Sequence, residues 1–142
     1  MYKQGTASLA KALMMDDGDL DTIYSVALRL LDQRKHLLAA QVMSNLCMLE
    51  PYDVRYWRTL GLAMMKSDQP KWALIAWEMA LCNDPDDVPT LTYRGEQLIL
   101  DNKKDAARRD LERVIAVGKP KTDDLVFIKR AKGLLRYAQS KH

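Results

Sequence analysis

Asp17, Asp19 and Asp21 have the alternate spacing with which a calcium loop presents carboxylates to one ion. That loop needs a glycine at its sixth position and a glutamate at its twelfth. Here those positions hold Thr22 and Leu28, so calcium chemistry is not expected. His36 and Cys47 are the one histidine and cysteine near each other in sequence. Eleven helical residues would align them on one face but separate them by about 16 Å of rise, too far for a base to activate a nucleophile. The second histidine is His142. Cys47 and Cys82 are too few for a disulfide framework and read as small hydrophobes of a reducing, cytoplasmic compartment. No phosphate loop, G-x-S-x-G elbow, CxxC or HExxH occurs. Neither an enzyme nor a metal or cofactor site is expected.

The side chains recur in a register that explains what they are for. An offset of 34 residues links Pro51 with Pro85, and Ala39 with Ala73 and Ala107. It also links Ala27, Gly61 and Gly95, then Leu30, Met64 and Leu98, then Met43, Trp77 and Leu111. This is the period of the tetratricopeptide repeat, a helix-turn-helix unit that opens W-x-x-L-G, and Trp57, Leu60 and Gly61 supply that opening. The expected fold is all-α, a tetratricopeptide solenoid of three repeats at 20–53, 54–87 and 88–121. Small residues such as Gly61 and Ala73 let paired helices approach, and proline ends the second helix of a pair. Arg34, Asp68 and Asn102 fall in the turns inside each unit, and Pro70 suits the first turn of the next helix.

Segments 1–19 and 122–142 complete the expected domain. The first carries a short amphipathic helix with Leu9, Ala10, Leu13 and Met14, then the linker Asp16-Asp17-Gly18-Asp19. The second is a capping helix that starts near Thr122 and Asp124 and places Leu125, Ile128, Ala131, Leu135 and Ala138 at helical spacing. Such a helix would cover the apolar face that a terminal repeat leaves without a neighbour.

Composition agrees with this frame. The 142 residues are 48% hydrophobic and carry a net charge of +3. The longest nearly apolar stretch, Trp72 to Cys82, contains Glu78 and falls short of the ~20 residues of a membrane span. Met1-Tyr2-Lys3-Gln4-Gly5 has no secretory pattern, so neither export nor membrane insertion is expected. Lys103, Lys104, Arg108, Arg109, Lys129, Arg130 and Lys132 concentrate cations in the carboxyl third. They are interspersed with Asp105, Asp110 and Glu112 and lack interleaved aromatics, which reads as a solvated face and not as a nucleic-acid site.

Columns five, nine and twelve of each repeat face the inner side of the solenoid. They hold Tyr24, Leu28 and Leu31 in the first repeat, Arg58, Leu62 and Met65 in the second, and Thr92, Glu96 and Ile99 in the third, with Tyr93 alongside. Five of the six residues in the first two repeats are apolar or aromatic, a surplus beyond the core. A patch of this kind marks a site for another chain or a ligand, or else is covered by the amino-terminal helix or a second copy.

With the repeats placed, Ile23-Tyr24-Ser25-Val26-Ala27, the run Leu46-Cys47-Met48-Leu49-Glu50-Pro51-Tyr52-Asp53-Val54-Arg55-Tyr56-Trp57, and Leu60-Gly61 closely resemble one family. It is the class II chaperones of bacterial type III secretion, tetratricopeptide chaperones of the pore-forming translocators. The resemblance covers roughly residues 20–117. It implies an all-helical cytoplasmic protein, often dimeric through its amino-terminal region, that keeps an extended translocator segment from aggregating or entering membrane before export. It further implies a client groove of Tyr24, Leu28, Leu31, Leu62, Met65 and Tyr93; beside them, the polar Arg58 and Thr59 are expected to bond the client backbone. Leu28 and Leu31 stand where the family often has aromatics, and Arg58 where it has an apolar residue, so the pockets are shaped for a different client sequence. The alternatives are a needle-subunit chaperone and a self-associating assembly protein of the same apparatus.

Overall fold

The structure, a computed structural model, describes residues 8–140. The first seven residues of the expected amino-terminal arm, and His142, lie outside the described residues. Among the described residues there are eight helices and no strand: α1 (Leu9–Ala12), α2 (Asp17–Asp32), α3 (His36–Leu49), α4 (Val54–Lys66), α5 (Pro70–Asn83), α6 (Val88–Leu100), α7 (Lys104–Val117) and α8 (Asp124–Ser140). The chain divides into two compact units between Asp84 and Pro85.

Local chemistry accounts for the helix ends. Arg34, Asp68 and Asn102 occupy the left-handed backbone region, with φ of 61°, 61° and 60°. In each case the residue's N–H returns to a carbonyl three residues back, which closes the first helix of the pair. Pro70 opens α5, where its missing N–H leaves no helical bond unmade. The expected linker Asp16–Asp19 is instead the start of α2. Asp16 accepts from the Asp19 N–H at 2.8 Å and Asp19 accepts from the Asp16 N–H at 3.0 Å, a reciprocal cap that turns an apparent acidic loop into helix. α1 is shorter than its sequence pattern: Ala10 is buried, whereas Leu13 and Met14 lie exposed beyond its end.

In the first unit the small columns let helices meet closely. Ala27, Ala39, Ala63 and Ala73 are fully buried. A Cβ on Gly61 would fall within the Trp77 indole, 2.7 Å from Cε2, so glycine is what admits that ring. The Trp77 Nε1–H then donates to the Arg58 carbonyl at 3.3 Å. Pro51 has a second role besides ending α3, since its carbonyl accepts from Trp57 Nε1 at 2.8 Å and from Asn83 Nδ2 at 3.0 Å. One carbonyl thereby ties the start of α4 to the end of α5. Cys47 joins this core, whereas Cys82, expected to be a buried small hydrophobe, is exposed.

The second unit repeats the device at Gly95, where a Cβ would lie 2.7 Å from Leu111 Cδ2. Asp110, expected on a solvated face, is buried and holds the Arg94 guanidinium through two bonds of 2.7 and 2.8 Å. α8 buries Ile128 and Ala131 of its expected apolar stripe but leaves Leu125 exposed.

Candidate peptide-binding face

α2 and α4 are the first helices of consecutive pairs, and Tyr24 joins them. Its hydroxyl is 3.0 Å from that of Thr59, and its ring lies 5.4 Å from the Tyr56 ring at an interplanar angle of 55°. The Arg55 guanidinium sits 5.3 and 5.5 Å above the two rings and is itself gripped by both oxygens of Asp53, at 3.1 and 2.7 Å. A cation over two aromatic faces, fixed by a bidentate carboxylate, is a rigid corner. The sequence columns do not single out Arg55 or Tyr56, because both lie outside the three inner columns. The Tyr56 phenol is pushed up to about 12, first by burial and then by the Asp53 charge. Burial likewise pushes the Cys47 thiol up to about 12, which makes it inert as a nucleophile at neutral pH.

Toward the far ends of α2 and α4 the face opens into a cavity of about 720 Å³. Leu28, Leu31 and Leu62 line it, three of the residues expected in the groove, together with Asp32, Arg34, His36 and Lys66. The polar four come from helix ends and the α2–α3 turn. The 34-residue register reveals the apolar wall but gives no reason to group them with it.

The remaining expected residues take varied positions. Met65 is half-buried on α4 and does not line the cavity, and Arg58 is half-buried one turn before Leu62. Thr59, expected to bond a client backbone, is buried with its hydroxyl engaged by Tyr24. It is part of the wall. Tyr93 belongs to the second unit, where it is half-buried and meets Phe127 edge-on at 5.8 Å. Thr92 is buried there and donates to the Val88 carbonyl, while Glu96 is paired with Arg130 of α8. α8 thus occupies much of what the columns suggested was open in the third repeat.

A second cavity of about 410 Å³ lies among α3, α4 and α5, lined by Trp57, Leu60, Met64, Trp72 and Ile75 with Ser44, Gln69 and Ala76. Trp72 and Ile75 are more than half exposed. Among the described residues no cluster of His, Cys, Asp and Glu is arranged to hold a metal, and no helix is long and apolar enough to cross a membrane.

The arrangement is a tetratricopeptide-type helical fold. Its fold is shared with chaperones of bacterial type III secretion. A type III secretion complex from Aeromonas hydrophila superposes with a TM-score of 0.90 at 19% identity, covering 97% of this chain and 92% of the other. The Yersinia enterocolitica translocator chaperone SycD, solved with a peptide of the translocator YopD, gives 0.82 at 21% identity over 89% and 96%. PcrH, solved with the chaperone-binding region of PopD, gives 0.83 at 19% over 89% and 96%. At these identities the likeness is one of fold. No protein-family model and no curated protein matches the chain.

Proposed function

We propose that this chain is a cytoplasmic type III secretion chaperone that holds an extended apolar segment of a secreted translocator against the α2–α4 face, by binding and without catalysis. The observation that carries the reading is the open cavity walled by Leu28, Leu31 and Leu62, on a fold shared with chaperones solved with translocator peptides. Extended segments lose conformational freedom when bound, so one pocket is insufficient and the rigid corner at Tyr24 and Arg55 supplies a second, preorganised part of the wall. The test is selection of random peptides displayed on phage by the immobilised chain. Apolar peptides are expected to enrich on the wild type and not on a Leu28→Asp, Leu62→Asp variant of unchanged helicity. Equal recovery on both proteins would remove the reading.

Self-association is a second reading, favoured by the apolar cavity beside exposed Trp72 and Ile75. α3 carries no Lys, Arg, Asp or Glu along its whole length. A two-fold contact presses the same patch of both copies together, and an uncharged face does this without setting like charges against each other. Sedimentation of the wild type and of Trp72→Glu separates the cases: a dimer lost in the variant places the contact here.

A further inference from the structure

The turn between α2 and α3 holds a residue that its backbone does not favour. Arg34, Asp68 and Asn102 stand at equivalent points of three turns, each with φ near 60° and each with its N–H bonded at 3.0 Å to the carbonyl three residues earlier. Aspartate and asparagine suit the left-handed region because a short polar side chain bonds locally, whereas arginine gains nothing there. Local structure therefore favours two of the three residues, but Met14 takes the same φ of 60° after α1, with its N–H bonded to the Lys11 carbonyl at 3.0 Å, and lines neither cavity, so the backbone alone does not mark a site. Arg34 differs in what lies beside it, since its side chain lines the cavity that Leu28, Leu31 and Leu62 wall.

The charge around that cavity is unbalanced. Arg34 and Lys66 face one carboxylate, Asp32, with His36 as a further nitrogen donor. Neither the guanidinium nor the ammonium has a hydrogen-bond or ion-pair partner among the described residues. Two unpaired cations beside the apolar wall of Leu28, Leu31 and Leu62 suit an occupant that is apolar at its anchor and anionic next to it.

We propose that Arg34, with Lys66, holds the side-chain carboxylate of an Asp or Glu adjacent to the apolar residue that the cavity seats. The inference rests on the peptide-binding reading and names the client chemistry that the same site selects: an extended apolar segment with an internal acidic residue beside its anchor. Asp32 repels a second negative charge from its side of the cavity, so the match is to one carboxylate and not to an acidic run.

The experiment uses the full chain, phage-displayed random peptides and three synthetic versions of the most enriched sequence: an amidated one with its acidic residue, an amidated one with the matching amide, and one with the matching amide and a free carboxyl terminus. Enriched peptides are expected to carry Asp or Glu within two positions of an apolar residue. The acidic peptide should bind the wild type about ten-fold more tightly than its amide partner in fluorescence anisotropy, the scale of one charge-assisted bond at a part-exposed site. Arg34→Asn should abolish that difference while binding the amide peptide as the wild type does. It should also melt no lower than the wild type, because asparagine fits the turn. Apolar enrichment with no acidic preference, an acidic preference that survives Arg34→Asn, or binding only of a peptide with a free carboxyl terminus would overturn the inference and leave the peptide-binding function standing. Absence of any apolar enrichment would remove both.

Discussion

The hydroxyls of Tyr24 and Thr59 lie 3.0 Å apart, across 35 positions of sequence, and join the first helices of two consecutive pairs. Thr59 is buried, so this bond satisfies a group that water cannot reach. Tyr24→Phe should therefore destabilise the chain by about 1 to 2 kcal/mol, the penalty for stranding a buried hydroxyl. Adding Thr59→Val should recover most of that loss. Urea unfolding followed by circular dichroism measures both, and a double variant no more stable than Tyr24→Phe alone would contradict the account.

Two glycines on helices should respond in opposite directions to alanine. At Gly61 a Cβ would enter the Trp77 ring, which is 1% exposed and has nowhere to move. Gly61→Ala should lower stability by about 3 kcal/mol, in the upper range for overpacking. At Gly133 an added Cβ would meet no neighbouring atom within 4 Å. Gly133→Ala in α8 should raise stability by about 1 kcal/mol through helix propensity alone. Thermal melts of the two variants provide the comparison, and a shift of the same sign in both would refute it.

Alkaline pH should lower the stability of the chain progressively from about pH 9. Cys47 is raised from 9.0 to about 12 and Tyr56 from 10.0 to about 12, both chiefly by burial and secondarily by the Asp53 charge. Each group is neutral when protonated, so a raised folded pKa means that the unfolded chain loses its proton first. Their contribution is complete below pH 9 and is lost as pH rises, first through Cys47 and from pH 10 through Tyr56 as well, until both folded groups titrate near 12. Each adds a slope of at most about 1.4 kcal/mol per pH unit in that window. Urea midpoints measured across the range should begin to fall near pH 9 in the wild type and near pH 10 in Cys47→Ala. Superimposable profiles would show that the thiol has no part in it.

Much of this architecture is legible in one dimension. The columns at Ala27, Gly61 and Gly95, or at Ala39, Ala73 and Ala107, sit at close helix approaches because only small residues fit there, and repetition makes that requirement visible. The turn residues Arg34, Asp68 and Asn102 are likewise visible from their common offset. The first helical turn of α2 is hidden in the sequence, because three aspartates and a glycine look like a loop until Asp16 and Asp19 are seen to cap each other's N–H groups. Exposure of Cys82 is hidden for a related reason: periodicity places a residue on a helix without saying which of its sides remains open.

The sequence by itself determined the period, the helix pairs, the turns and the apolar identity of Leu28, Leu31 and Leu62, because each follows from spacing along a single helix or from local backbone preference. Only the tertiary structure decided that Thr59 faces Tyr24, that Arg55 covers two rings, that α8 takes Tyr93 and Glu96, and that Arg34 and Lys66 share a cavity. Those pairings join residues on different helices, and they depend on how the helices cross and on which faces a terminal helix covers. A repeat register carries the face of each helix, but it does not carry the distance between side chains that two helices bring together.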